Sequence, residues 1–329
     1  MQILVTGGAG FIGSHFVRTI LTGGYPGHET TDIVVLDKLT YAGNLANLEP
    51  VQGNQRLRFV EGDILDPQTV DGLVTTADAV VHFAAESHVD RSILGAAEFV
   101  MTNVVGTQTL LDAAMRHGVD KFVHVSTDEV YGTIEEGSWT ETHPLEPNSP
   151  YSASKASSDL LARSYFRTHG VPVCITRCSN NYGPYQYPEK VIPLFVSNLL
   201  DGGRVPLYGD GGNVRDWLHV DDHCRGVVLV LDEGRPGEIY NIGGGTELTN
   251  KALTGLLLEA CGASWESVDA VEDRKGHDRR YSVDISKASA ELGYVPRVSF
   301  ETGLAETVEW YRANRAWWEP LKAKAAQIG

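Results

Sequence analysis

Short apolar runs alternate with amphipathic stretches along the first half of the chain. The apolar runs have the length of buried strands, whereas the stretches between them repeat apolar residues at the spacing of one helix face. Strands are predicted at 2–6, 33–36, 57–60, 79–85, 121–125 and 171–177, and helices are predicted to end near Leu21 and to cover about 96–117 and 151–169. This alternation predicts an α/β fold, a Rossmann-type doubly wound parallel sheet.

The pattern changes after Cys178. Segments 179–186 and 205–212 have the composition of loops, with a predicted helix at 191–200 between them and an amphipathic helix after Phe300. These features predict a second, smaller mixed α/β domain for substrate binding. The expected division gives residues 1–178 and about 217–243 to the first domain, and about 179–216 and 244–329 to the second.

A glycine-rich turn joins the first predicted strand to the first helix. Gly8, Gly10 and Gly13 match G-x-G-x-x-G, and Gly7 with Gly10 and Gly13 matches G-x-x-G-x-x-G. Because the turn follows a strand and opens a helix, its backbone N–H groups can approach a pyrophosphate at the positive helix end. The alternative is a plain glycine-rich turn, but the context favours a dinucleotide site.

Residues at the ends of the next strands refine this dinucleotide site. Asp37 can accept hydrogen bonds from both ribose hydroxyls and would repel a 2′-phosphate, which favours NAD over NADP, although Lys38 follows it directly. Asp63 is predicted either to bind the adenine amine or to cap the following helix. Ala84 and Ala85 are small enough for a cofactor to pass over the strand end.

Acid, base and phenol groups cluster around the end of the fifth strand. Thr127, Asp128 and Glu129 follow that strand directly, where ligands bind in open α/β sheets. Adjacent carboxylates raise each other's pKa, yet a solvated acidic turn is an alternative. Tyr151 and Lys155 share a helix face, and a fixed cation favours the ionised phenol. Together they predict a catalytic centre.

Composition narrows the classes of function. The 329 residues are 42% hydrophobic and 21% charged, as in soluble globular proteins, and the net charge of −16 argues against nucleic acid or an anionic membrane as partner. No apolar run could span a bilayer, and the N-terminus does not resemble a signal peptide. The four cysteines lack CxxC or zinc-like spacing, so we expect no metal and a reducing cytoplasm.

An anionic substrate would need local cations in so acidic a chain. An exposed arginine is usually only a solvated surface group, but Arg215 stands out between a glycine loop and apolar residues. The candidates for binding phosphates are Lys190, Arg215, Arg274, His277 and Arg279.

Several motifs together resemble the extended short-chain dehydrogenases/reductases over nearly the whole chain. They are the glycine turn with Asp37, Tyr151-x-x-x-Lys155, Asn-Asn-Tyr-Gly-Pro at 180–184 and Arg-Asp-Trp at 215–217. Within that family, the segment 84–92 and the triplet Thr127-Asp128-Glu129 are similar to the dTDP-glucose 4,6-dehydratases. Sugar-nucleotide epimerases lack the paired carboxylates, and GDP-mannose dehydratases carry a different triplet. Lys275 stands where the family commonly has proline.

The resemblance implies an NAD-dependent conversion of dTDP-glucose to dTDP-4-keto-6-deoxyglucose for deoxysugar biosynthesis. It assigns Tyr151, assisted by Lys155 and the cofactor's positive charge, as base for the 4-hydroxyl, and Thr127 as hydrogen-bond partner of the 4-oxygen. Glu129 would remove the C5 proton, and Asp128 would protonate the departing 6-hydroxyl. NAD would stay tightly bound and be recycled in each turnover. A nucleotide-sugar 4-epimerase and a non-enzymatic NAD sensor are the alternatives.

The resemblance also implies contact residues and a cytoplasmic homodimer that pairs through the helices beginning near Ala96 and Tyr151. The expected cofactor contacts are Gly7, Gly10, Phe11, Ile12, Gly13, Asp37, Lys38, Leu39, Thr40, Asp63, Ile64, Ala84, Ala85, Ser87, Tyr151, Lys155 and Asn181. The expected substrate contacts are Ser87, His88, Thr127, Asn180, Lys190, Val191, Pro206, Leu207, Tyr208, Arg215, Asn250, Asp273, Arg274 and His277.

Overall fold

A computed structural model describes residues 1–274 and 276–328. The strands are β1 (Gln2–Thr6), β2 (Asp32–Asp37), β3 (Leu57–Glu61), β4 (Ala79–His82), β5 (Lys121–Thr127), β6 (Val173–Cys178), β7 (Asn180–Tyr182), β8 (Val205–Tyr208), β9 (Val214–His219), β10 (Ile239–Ile242), β11 (Glu247–Thr249) and β12 (Val268–Val271).

Helices fill most of the remaining chain. The α-helices are α1 (Phe11–Leu21), α2 (Pro67–Val74), α3 (Val89–Leu94), α4 (Ala97–Phe99), α5 (Thr107–His117), α6 (Pro150–His169), α7 (Val191–Leu200), α8 (Val220–Glu233), α9 (Asn250–Cys261), α10 (Ser286–Leu292), α11 (Phe300–Ala313) and α12 (Arg315–Ile328). Three 3₁₀-helices cover Leu45–Val51, Asp128–Tyr131 and Trp265–Ser267, and a π-helix covers Val100–Gly106.

Seven parallel strands form the central sheet, in the order β10-β6-β5-β4-β1-β2-β3. The order reverses direction between β1 and β4, the point where α/β sheets open a crevice for ligands. The predicted Rossmann-type doubly wound sheet is therefore confirmed.

Both faces of this sheet are covered by helices, which is why its strands read as continuous apolar runs. Successive side chains of a strand point to opposite faces. Ile3 and Val5 of β1 accordingly belong to the core beneath α1 and α8, whereas Leu4 belongs to the core beneath α2, α5 and α6. The carboxyl ends of these strands thus project from a sheet that is packed on both sides.

A smaller part of the protein lies outside the central sheet, as predicted. It contains the three-stranded sheet β11-β9-β7 and the two-stranded sheet β12-β8. A separate core, which includes Trp217, Tyr311 and Trp318, joins these strands to helices α7, α9, α11 and α12.

Two predicted loops contain strands, so those predictions were wrong in part. Within 179–186, β7 pairs with β9, and within 205–212, β8 pairs with β12. Both strands are very short and polar or proline-containing, and their partners are distant in the chain. Local composition therefore carries little signal for them.

The cysteines of the chain are free, and Cys174, Cys178 and Cys224 are buried. Within 1–274 and 276–328, no helix has the length and apolarity to cross a membrane. No group of side chains in those same ranges has an arrangement that could hold a metal ion.

Candidate active site

A cavity of about 1590 Å³ lies at the carboxyl ends of the central strands. The turns after β1, β2, β4 and β5 form one side of it, and residues of the smaller part, including Tyr208 and Arg274, form the other. Most of the residues singled out in the sequence line this one cavity. It is therefore the candidate active site.

The glycine turn has no room for side chains. Gly7 has a φ of +70°, and a Cβ there would lie 2.6 Å from the backbone nitrogen of Ala84. A Cβ on Gly13 would collide with the carbonyl oxygen of Gly7. Gly10, which precedes α1, makes no side-chain cap, so the first N–H groups of the helix lack a side-chain acceptor. These features fit the pyrophosphate of a dinucleotide.

Asp37 is fixed at the end of β2 by two backbone donors. Its carboxylate accepts hydrogen bonds from Ala9 N at 2.9 Å and Leu39 N at 2.8 Å. Burial raises the pKa of Asp37, and the two hydrogen bonds oppose that rise. Its position at the cavity wall suits the acceptor role for ribose hydroxyls.

Lys38 and Asp63 form an ion pair with an N–O distance of 2.6 Å. The positive charge of Lys38 is therefore paired with a carboxylate of the protein itself. Asp66, not Asp63, caps α2, since its side chain accepts from Gln68 N at 3.1 Å. The helix-cap alternative for Asp63 is therefore wrong, and Asp63 lines the cavity beside Ile64.

The acidic turn after β5 is enclosed by protein. Thr127 Oγ1 donates to Asp128 Oδ1 at 3.3 Å and accepts from Glu129 N at 3.3 Å. Asp128 is only 1% exposed, and the second oxygen of its carboxyl group has no partner among the described residues. The alternative of a solvated acidic turn is therefore wrong.

Burial raises the pKa values of both carboxyl groups above those of solvent-exposed carboxylic acids. The pKa of Asp128 lies well above its usual value because of burial and the neighbouring charge of Glu129. Burial also raises the pKa of Glu129, but the positive charges of Lys190 and Arg215 oppose the rise. Asp128 is thus the group suited to hold a proton, and Glu129 the one suited to accept one.

Tyr151 and Lys155 occupy the first turns of α6, which begins with a capping box between Ser149 and Ser152. Both side chains line the cavity and are buried. Lys155 Nζ donates to the carbonyl oxygen of Val125 at 2.8 Å, and burial lowers the pKa of Lys155 to about 8.

The pKa of Tyr151 lies well above its ordinary value in the protein alone, chiefly because of burial and then because of Glu129. The expected lowering by Lys155 is therefore not present without a ligand. A further positive charge beside the ring would lower this pKa and favour the ionised phenol that acts as a base.

Four of the five predicted phosphate-binding candidates line the cavity, namely Lys190, Arg215, Arg274 and His277. Lys190 Nζ donates to the carbonyl oxygen of Ser87 at 2.7 Å. Arg215, 8% exposed, donates to the carbonyl oxygens of Val214 and Asp278 at 2.7 and 3.0 Å. Arg274 lies 4.9 Å from the ring centre of Tyr208. These side chains are held by neighbours rather than free in solvent.

Three predicted contacts do not line the cavity. Leu39 instead supplies a backbone donor to Asp37. Asp273 is exposed and positions His277, which lines the cavity and whose Nδ1 lies 2.6 Å from the Asp273 carboxylate. Arg279 pairs with Asp210 on the surface. Lys275, within the expected phosphate loop, lies outside the described residues.

The structure adds cavity residues that the sequence reasoning missed. The carboxylate of Glu189 lies 3.2 Å from Arg91, whose guanidinium stacks 3.7 Å from the ring centre of Tyr41. All three line the cavity. Glu189 adjoins the predicted Lys190, so proximity in sequence was a usable signal there, whereas nothing in the sequence brings Tyr41 and Arg91 together.

The sequence reasoning also did not identify Asn103, which supports the residues of the cavity through hydrogen bonds. It is buried in the π-helix, and its side chain makes hydrogen bonds of 2.9 Å with both the N–H and the carbonyl of Glu86. It also donates to Ser154, between Tyr151 and Lys155. A polar residue among apolar ones in a predicted helix was the only available signal.

Comparisons with known proteins place the chain in a family. The family profile described as GDP-mannose 4,6 dehydratase matches residues 4–307. The chain is 66% identical over 327 residues to a dTDP-glucose 4,6-dehydratase of Streptomyces antibioticus, covering 99% of this chain and 97% of the relative.

Solved structures agree with this relationship. A dTDP-glucose 4,6-dehydratase of Streptomyces venezuelae with NAD and dTDP bound has a TM-score of 0.96 and 67% identity, covering 98% of this chain and all of that one. A UDP-glucose 4-epimerase of Thermotoga maritima with UDP-glucose reaches a TM-score of 0.87 at 36% identity, covering 96% of this chain and all of that one. The chain therefore belongs to the dTDP-glucose 4,6-dehydratase family, within the extended short-chain dehydrogenases/reductases.

Proposed function

We propose that the protein is an NAD-dependent dTDP-glucose 4,6-dehydratase, which forms dTDP-4-keto-6-deoxyglucose for deoxysugar biosynthesis. The observation that carries the proposal is the pair formed by the buried Asp128 and the part-buried Glu129, which lines the same cavity as Tyr151 and Lys155. A site that only oxidises and reduces a sugar carbon needs the phenol and the lysine. A site that also removes water needs an acid and a base as well.

The glycine turn, Asp37 and Asp63 would hold NAD, which supplies the chemistry of accepting a hydride from the sugar C4 and returning it to C6. The absent Cβ atoms at Gly7 and Gly13 support close approach of a pyrophosphate. Lys155 would bind the ribose beside the nicotinamide.

The first step removes a proton from the 4-hydroxyl and a hydride from C4. Tyr151 takes the proton of the 4-hydroxyl while hydride leaves C4. Thr127 donates a hydrogen bond to the 4-oxygen as it becomes a carbonyl. The phenol of Tyr151 would gain from a cationic nicotinamide the positive charge that favours its ionised form.

The second step removes water across C5 and C6. The 4-ketone acidifies the C5 proton, and Glu129 accepts it. Asp128 gives its proton to the 6-hydroxyl, which leaves as water. Hydride then returns to C6, and the proton held by Glu129 returns to C5. Tyr151 then releases the proton that it took, and Asp128 takes one up, so the net change is the loss of one water with each protein group back in its starting state.

The nucleotide would bind along the wall formed by the smaller part. Arg215, Arg274 and Lys190 offer charge-assisted hydrogen bonds to the pyrophosphate, and Tyr208 lies where the base is expected. The remaining proposed substrate contacts are Ser87, His88, Asn180, Val191, Pro206, Leu207, Asn250 and His277. Asp273 acts through His277.

We also propose the division into a cofactor domain (1–178 and about 217–243) and a substrate domain (about 179–216 and 244–329). A cytoplasmic homodimer is proposed as well. Exposed apolar side chains on α3, the π-helix and α6 support it, among them Leu94 at 87% and Leu160 at 54% exposure. The mass of the protein in solution, measured by light scattering, tests the dimer.

The paired substitution Asp128→Asn with Glu129→Gln tests the proposed chemistry. We expect the variant to oxidise C4, seen as absorbance of reduced cofactor, but to lose no water from the sugar. An epimerase would be indifferent to the change and would still interconvert stereoisomers, which would contradict the proposal.

A further inference from the structure

A buried polar network lies directly behind the acidic turn. Tyr131, the last residue of the Asp128–Tyr131 helix, is 2% exposed. Its hydroxyl accepts a hydrogen bond from Arg177 at 2.8 Å and donates one to Asn241 Oδ1 at 2.9 Å. Trp139 stacks on the Tyr131 ring, with centres 5.2 Å apart and planes 20° apart.

The network continues to the helix that carries the other reacting groups. Arg177, on β6, is 1% exposed, and its Nε donates to Asp159 at 2.9 Å. Asp159 lies on α6, one turn after Lys155, and its other oxygen lies 3.3 Å from His124 Nε2. The chain of contacts thus joins the acidic turn to the Tyr151–Lys155 helix.

Burial and neighbouring groups determine the protonation and the orientation of the Tyr131 hydroxyl. Burial raises the pKa of the Tyr131 hydroxyl to about 12, although Arg177 opposes the rise. The hydroxyl therefore keeps its proton and has one orientation, toward Asn241. The Asn241 amide is fixed in turn by donation to the carbonyl of Trp139 at 2.9 Å.

Such a network is a costly way to fill a core, because apolar side chains of similar volume often stabilise as well. Neither Tyr131 nor Arg177 lines the cavity, so neither is placed to touch a substrate. What the network does supply is a fixed relation between the two elements that carry the reacting groups.

We propose that Tyr131 and Arg177 are positioning residues, which hold Asp128 and Glu129 in register with Tyr151 and Lys155 over a single bound sugar. The inference rests on the proposed function. Displacement of a reacting group by about 1 Å can cost about a hundredfold in rate. Loss of the network should therefore slow the elimination, whose groups sit on the short turn, more than the hydride transfer, whose groups sit on the long helix.

Tyr131→Phe tests this, because the ring and its stacking stay while both hydrogen bonds of the hydroxyl go. We expect hydride transfer in a single turnover to stay within about threefold of wild type, and C5-proton exchange and water loss to slow about tenfold or more. Reduced cofactor should then accumulate during turnover, while the Kd for dTDP changes less than about twofold.

Tyr294→Phe is the matched control. Tyr294 is fully buried and donates one hydrogen bond, to the Gly243 carbonyl at 3.0 Å, away from the acidic turn. We expect it to lower thermal stability without changing the ratio of the two rates. If Tyr131→Phe fails to fold, Arg177→Lys takes its place with the same expected ratio.

The inference is overturned if the folded variant slows both steps equally or neither. Wild-type protein that forms no 4-keto-6-deoxy sugar would instead overturn the proposed function, so the two failures are distinguishable.

Discussion

Single residues in the cavity owe their chemistry to burial more than to identity. Arg215 opposes the pKa rise of both Asp128 and Glu129. Glu129 has Lys190 as an additional and larger opposing influence, whereas Glu129 and Asp216 raise the pKa of Asp128 further. The sequence showed which residues were present and that they would meet at a strand end. The division into Asp128 as acid and Glu129 as base came from the family resemblance, and the residue pattern alone gives no reason for it, because the pKa values depend on cations in distant segments.

The proposed role of Glu129 as a base predicts how the rate of elimination changes at low pH. As a base it must be ionised, so elimination is lost as pH falls through its pKa. Burial raises that pKa, while Lys190, Arg215 and Arg274 lower it and Asp278 raises it further. We therefore expect C5-proton exchange into heavy water to fall off at a pH above the usual glutamate value. Exchange that persists unchanged below that value would argue against Glu129 as the base.

Arg215 and Arg279 form a matched pair of arginines. Both were phosphate candidates, but Arg215 is buried at the cavity and Arg279 pairs with Asp210 outside it. A hydrogen bond to a charged group contributes about 1.5–3 kcal/mol. Arg215→Met should therefore raise the Kd for dTDP about tenfold or more, and Arg279→Met should leave it nearly unchanged, as measured by calorimetry. Equal effects from both would remove the proposed phosphate role.

At the scale of elements, six of the seven strands of the central sheet were predicted, because each of the six is marked by its own apolar run, whereas β10 was not predicted. The short strands β7 and β8 escaped notice because their pairing is with β9 and β12, far along the chain. The segment from Thr22 to Asp32 is rich in Gly, Thr and His, a composition typical of a surface loop. His28 within it is nevertheless buried, with Nε2 3.1 Å from Asp232 on α8.

The β1–α1 turn predicts a loss of cofactor on substitution. Gly7→Ala places a Cβ 2.6 Å from Ala84 N as well as straining a φ of +70°. A residue other than glycine at a positive φ costs about 1–3 kcal/mol through backbone strain alone. The control substitution must therefore introduce the same strain. Gly23→Ala is that control, since Gly23 has a φ of +78° and open space around it.

We expect purified Gly7→Ala to retain about tenfold less NAD per chain than wild type, measured after the protein is denatured. Gly23→Ala should retain as much as wild type. Full retention by Gly7→Ala would mean that the turn does not approach the cofactor.

At the scale of the whole molecule, an acidic protein encloses a locally cationic site. The net charge of −16 argues against a general nucleic-acid or anionic-membrane partner, and Lys190, Arg215 and Arg274 are gathered at one cavity. The sequence identified these three residues as candidates for binding phosphate, but it identified Arg279 as well. The sequence around an isolated arginine does not show whether its side chain is buried or exposed. The cavity itself arises only when the smaller part closes over the strand ends, which no local pattern describes.

The central claim is that one cavity carries out oxidation, loss of water and reduction with a cofactor it does not release. Mass spectrometry of dTDP-glucose incubated with the purified protein and no added NAD tests this most directly. The predicted result is a product lighter by one water, with dTDP still attached, formed over many turnovers. An unchanged mass with conversion to a stereoisomer would contradict the claim and point to an epimerase. No reaction, even after NAD is supplied, would contradict dTDP-glucose as the substrate.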